Sequence, residues 1–117
     1  MKGVALIYRS DKVEPEVTRL DTPSDLAFLK QAIGGGYIEA VPGFDTISHA
    51  GKRHACVAFC DEEGKLKGYP LNNHATTLWQ AALMPEASLI GRDGAVLDYL
   101  VGDIVVLYGD SEFMLEI

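Results

Sequence analysis

The side chains best suited to chemistry lie in one stretch, Gly68-Tyr-Pro-Leu-Asn-Asn-His-Ala75, followed by Thr76. Asparagine amides recognise nucleobase edges and ribose hydroxyls, and they also cap helices. A helix start offers free backbone N–H groups to a phosphate. Tyr69, Asn72, Asn73, His74 and Thr76 are therefore the candidate ligand-binding set. The competing reading is structural: Asn72 or Asn73 caps a helix, its neighbour pins the preceding turn, and His74 is solvated.

Other chemical groups are present without a supporting pattern. Glu39 falls in an expected strand, and Asp61, Glu62 and Glu63 crowd an expected turn tip. Acid–base work needs carboxylates that converge in a cleft, and this spacing does not show it. Cys56 and Cys60 sit among apolar residues, where a thiol behaves as a small hydrophobe. His49, His54 and His74 make a Cys–His pair arithmetically available, but no nucleophile-elbow signature accompanies one. Gly34-Gly-Gly36 follows an expected helix and precedes an expected strand. That order suits a helix C-cap and is the reverse of a phosphate loop. No catalytic residue, metal ligand set or cofactor is assigned from these residues.

The cysteines bear on redox state. On one extended strand Cys56 and Cys60 would share a face with Cα atoms about 13 Å apart, too far for a disulfide. Reduced thiols and an intracellular setting are the expectation. A zinc site would need further ligands at matching spacing, and no second cysteine pair exists.

The chain has 117 residues, 48% hydrophobic and 23% charged, enough for one domain with its own core. Ten basic against 17 acidic residues give a formal charge of -7. Direct nucleic-acid binding, which draws its affinity from Lys and Arg on phosphates, is not expected. The first apolar run, Gly3 to Tyr8, is too short for a secretory core, and no run nears the roughly 20 residues of a spanning helix.

These residues need elements to position them. Gly3 to Tyr8 reads as a strand, and Val13 to Leu20 as its hairpin partner, a strand that is an edge or starts late because of Pro15. Asp21-Thr-Pro-Ser-Asp25 is a helix start, and Leu26, Leu29 and Ile33, flanked by Phe28, supply an apolar face up to Gly34. Tyr37 to Val41 and His54 to Cys60 read as strands, and Phe44 to Lys52 as loop or irregular strand. Asp61-Glu-Glu-Gly64 is a turn leading into a second hairpin strand at Lys65 to Tyr69. A second helix spans Asn73 to Met84 and ends at Pro85. Leu89-Ile90 reads as a short strand and Gly91 to Gly94 as a turn. Ile104 to Tyr108 is almost wholly apolar and reads as a central strand. Phe113 to Ile117 is the last expected strand. About five to six short strands, two helices and turn-like connections favour an α+β fold with a mainly antiparallel sheet.

Three blocks carry a family resemblance: Gly34 to Val41, Asp61 to Ala75, and Val101 to Leu107. Their order and spacing resemble the domain of unknown function 3846 family of small bacteriophage-associated proteins, over about Lys2 to Gly109. One departure is Asn73, where the family usually carries a basic residue. The resemblance implies a phage-encoded protein acting in the host cytoplasm, and it brings no activity and no catalytic residues. The expected function is thus non-enzymatic: an accessory protein that binds a host protein in host takeover or counter-defence. Tyr37, Tyr69 and Trp79 are its candidate anchors. The alternative is a small-molecule or nucleotide-binding protein using the Asn72-Asn73-His74 helix start, with a homodimer able to build the pocket between subunits. An uncharacterised enzyme ranks last. No membrane partner is implied.

Overall fold

The computed structural model describes residues 3–20, 26–34, 37–83 and 99–115. Two apolar runs organise it. Gly3–Tyr8 forms β1 and Ile104–Gly109 forms β7, and they pair antiparallel from Gly3↔Gly109 to Tyr8↔Ile104. Every residue of β1 is buried, as is β7 up to Tyr108. Strands covered on both faces lose the alternation of polar and apolar residues, which is why both sequences read as continuous apolar runs.

Among the described residues the main sheet has five strands in the order β2 (Glu16–Leu20), β1, β7, β6 (Val57–Asp61) and β3 (Ile38–Ala40), all antiparallel. One edge is β2, which starts only after Pro15 because proline cannot donate to the ladder. The other is the short β3, paired with β6.

Alternate residues of the central strands face two cores. On one side Ala5, Ile7, Val105 and Leu107 meet Leu29, Ala32 and Ile33 of helix α1 (Leu26–Ala32) and the turn after it, together with Phe113. On the other, Val4, Leu6, Ile104 and Val106 meet Ala75 and Trp79 of helix α2 (Asn73–Leu83), with Phe44 and Ile47 beside them. Ala75, Leu78, Trp79 and Ala82 contact that core at helical spacing.

Several expected elements take another form. The stretch from His54 to Cys60 is not one strand. It breaks at Cys56 into β5 (Lys52–Ala55) and β6, which belong to different sheets. The break is held by Cys56 N–H donating to the Asp45 carbonyl at 2.9 Å. β5 pairs with β4 (Thr46–His49), so of the two readings for Phe44 to Lys52, loop or short irregular strand, a short strand holds, followed by a tight turn. The expected strand at Lys65 to Tyr69 is a compact turn, closed by Lys67 N–H to Glu63 O at 2.9 Å and Tyr69 N–H to Gly64 O at 3.1 Å. The expected strand at Phe113 is helix α3 (Ser111–Leu115). Asp110 caps it, its Oδ1 accepting the Phe113 N–H at 2.9 Å, and that cap outweighs a short apolar pattern. The helix start at Asp21 to Asp25, the strand at Leu89-Ile90 and the turn at Gly91 to Gly94 lie outside the described residues.

Candidate functional site

Asn72 is 1% exposed and all its side-chain polar atoms are engaged. Its Oδ1 accepts the Ala75 N–H at 3.0 Å, which makes it the N-cap of α2. Its Nδ2 donates to the carbonyl oxygens of Tyr8 and Gly102, both at 2.8 Å. One amide thus ties the start of α2 to the end of β1 and the entry to β7.

Thr76 is committed in the same way. Its Oγ1 accepts the Leu100 N–H at 2.9 Å, while Asn72 N–H donates to Leu100 O at 2.9 Å. Gly102 N–H donates to Pro70 O at 2.8 Å, and Leu71 bridges Val101. Tyr69 is half-buried against Gly102, where an added Cβ would stand 2.7 Å from the Tyr69 ring. Gly102 also has φ +71°. Asn73 lies exposed at the first turn of α2. The His74 ring meets Tyr8 edge-on at 5.0 Å, and its Nδ1 is shielded with no hydrogen-bond partner among the described residues. Of the five predicted residues, then, Asn72, Thr76 and Tyr69 knit residues 69–76 to residues 100–102, Asn73 faces outward, and His74 packs on β1.

The remaining nucleophile and acid candidates also fall into place. Both cysteines are free thiols. Burial pushes Cys56 up to about 12, with Asp45 adding to it. Burial, then Glu39, does the same for Cys60, also to about 12. Neither is a ready thiolate. His49 Nδ1 lies 2.7 Å from Tyr108 Oη, and His54 stacks on the Tyr108 ring at 4.0 Å, so both histidines dock the β4–β5 hairpin on the sheet. Among the described residues no group of three or more His, Cys, Asp or Glu is placed to hold a metal ion.

Asp61 organises the turn after β6. Its Oδ1 accepts the Glu63 N–H and its Oδ2 accepts Lys67 Nζ, each at 2.8 Å. Burial pushes its carboxyl up, but Lys67, the Glu63 N–H and Tyr69 together outweigh burial and hold it below the ordinary value. The turn therefore stays folded with Leu66 at its tip, 87% exposed.

Beside that turn lies a groove of about 150 Å³ that sequence reasoning missed. Val41, Leu66, Trp79, Tyr99 and Val101 supply its apolar and aromatic lining, and Glu39, Glu62 and Lys65 stand among its polar lining. Trp79 is oriented by donating its Nε1–H to Pro42 O at 2.9 Å. Lys65 Nζ sits 4.3 Å from the Tyr99 ring centroid, within cation–π range. Tyr37 joins the neighbourhood through its carbonyl, which accepts the Glu62 N–H at 2.7 Å, and its own side chain is 68% exposed. Of the candidate anchors, Tyr37 is therefore open to solvent, Tyr69 half-buried and Trp79 buried in the groove lining. The sequence carried a weak signal, an apolar Leu66 between two lysines at a turn.

An α+β domain with a mainly antiparallel sheet and an apolar, acid-rimmed groove is the class these features define. The chain belongs to the family described as Domain of unknown function (DUF3846), which it matches over residues 1–115. No curated protein and no solved structure matches it. None of the helices among the described residues is long and apolar enough to cross a membrane.

Proposed function

We propose that this protein is a non-enzymatic bacteriophage accessory protein that binds a host protein in the host cytoplasm, using the groove between the turn at residues 62–68 and residues 99–101. The observation that carries the reading is the pair of exposed large side chains, Leu66 and Tyr99, lining one cavity. Leu66 is 87% exposed and Tyr99 45% exposed at the cavity, with Tyr37 nearby. An apolar centre with aromatic anchors and a charged rim is the anatomy of a protein-binding surface. The net charge of -7 favours encounter with a basic partner. The nucleotide alternative draws less support, because the polar side-chain atoms of Asn72 and Thr76 already bond within the chain.

The test is cross-linking and affinity capture from a bacterial host lysate with wild type, Leu66→Asp, Tyr99→Ala and Val13→Asp. Val13 is exposed and lies away from the groove lining, so it controls for general surface change. Capture of a defined host protein by wild type and Val13→Asp, lost with both groove variants, supports the proposal. No reproducible partner, or equal capture by all four proteins, overturns it.

A further inference from the structure

The groove already contains a cation on an aromatic ring. Lys65, in the turn at residues 62–68, places its Nζ 4.3 Å from the centroid of Tyr99, which lines the same cavity. Among the described residues, the cavity lining carries the acids Glu39, Asp61 and Glu62 against the single cation Lys65. Asp61 is answered by Lys67 at 2.8 Å, whereas Glu39 and Glu62 form no ion pair with a described residue. Glu39 Oε1 takes only a weak contact from the Cys60 thiol at 3.8 Å. The described lining thus has more negative charge than its cation Lys65 answers, beside apolar residues that include Trp79.

We propose that the groove takes a basic side chain, arginine or lysine, of the partner protein, whose cation replaces Lys65 over Tyr99 and is held by Glu39 and Glu62. This rests on the protein-binding reading of the groove. An alkyl stem lies along Val41, Leu66 and Trp79 while its charged head meets the ring face and the carboxylates, as long basic side chains do at amphipathic surfaces. A guanidinium suits both contacts, since it stacks on aromatic faces and pairs with carboxylates. A cavity of about 150 Å³ suits one side chain and not a folded element. Lys65 is then an internal competitor that shields the groove until a partner displaces it.

The chain has one tryptophan, Trp79, in the groove lining, so its fluorescence reports occupancy directly. The probe is a short peptide of alternating leucine and arginine, with its lysine counterpart and a citrulline counterpart that keeps shape without charge. Arginine and lysine peptides should perturb Trp79 saturably, and citrulline should bind at least several-fold more weakly. Glu62→Gln should weaken the arginine peptide. Lys65→Met should strengthen it by about two- to fivefold, the size of one exposed cation–π contact. Citrulline binding as well as arginine, no saturable response to either basic peptide, or Lys65→Met leaving affinity unchanged or lower would each overturn the inference. If the basic peptides fail while Leu66→Asp still abolishes capture of the host partner, the cation site falls and the protein-binding surface stands.

Discussion

The Asn72 side chain donates to the Gly102 carbonyl oxygen at 2.8 Å across 30 residues of sequence, and with the same nitrogen it donates to Tyr8. Removing it uncaps α2 and strands two buried carbonyls. Asn72→Ala should destabilise the fold by about 3 kcal/mol or more, since a lost cap and unsatisfied buried acceptors each cost about 1 kcal/mol or more. Asn72→Asp should do comparable or greater harm at neutral pH, because a carboxylate would face two carbonyl oxygens, and the deficit should shrink as pH falls. Urea denaturation followed by circular dichroism checks both. A loss under 1 kcal/mol in both variants would remove Asn72 from this role.

The β4–β5 turn carries a correctable strain. Ala50 has φ +53° and is followed by Gly51 at φ +79°, the two-residue loop of a tight hairpin in which both positions are left-handed. Alanine pays a steric cost there that asparagine largely avoids. Ala50→Asn should stabilise the protein by about 1 kcal/mol, and Ala50→Val should destabilise it. Thermal unfolding decides this, and the ordering Val above Asn would contradict the turn geometry.

Acid should loosen the groove. The Asp61 carboxyl is held below its ordinary 3.8 in the folded protein. Its ionised form is thus favoured by folding, so its contribution is full above the ordinary value and is lost as pH falls through the lowered one. Wild-type stability should therefore decline below about pH 4 more steeply than that of Asp61→Asn. Parallel stability–pH curves for the two proteins would show that Asp61 does not carry this dependence.

The thiols should be inert until the protein opens. With Cys56 and Cys60 both pushed up to about 12, alkylation at a mildly alkaline pH of about 8 should be slow in buffer and rapid in denaturant. Mass spectrometry after timed iodoacetamide exposure resolves the two sites. Native labelling of Cys60 at the unfolded rate would mean that its environment is polar and open.

How much of this was readable in the chain varies with the physics of each segment. β1 and β7 announced themselves because burial on both faces requires an unbroken apolar run. The β1–β2 hairpin, with its late start after Pro15, followed from local rules of the same kind. Residues 54–60 misled, because a run of Ala, Cys, Val and Phe carries no mark of the bend at Cys56 that sends its halves to different sheets. The expected strand at Phe113 to Ile117 misled too, because five residues are too few for periodicity to separate strand from helix, and the Asp110 cap decided it.

The site divides along the same line. A junction between turn and helix at Asn72, and its cap, were implicit in the residue types, because capping is a local interaction between a side chain and the next turn of backbone. What Nδ2 would bond to was not, since Tyr8 and Gly102 arrive from 64 and 30 residues away. The groove has the same origin. Glu39, Leu66, Trp79 and Tyr99 stand on four separate segments, and only the folding of those segments against one sheet face makes a cavity of them. Local propensity and patterning determined the elements and the α+β class. The tertiary structure alone decided that Asn72 and Thr76 clasp residues 100–102 and that a groove opens nearby, because side chains far apart in sequence converge only when the sheet packs.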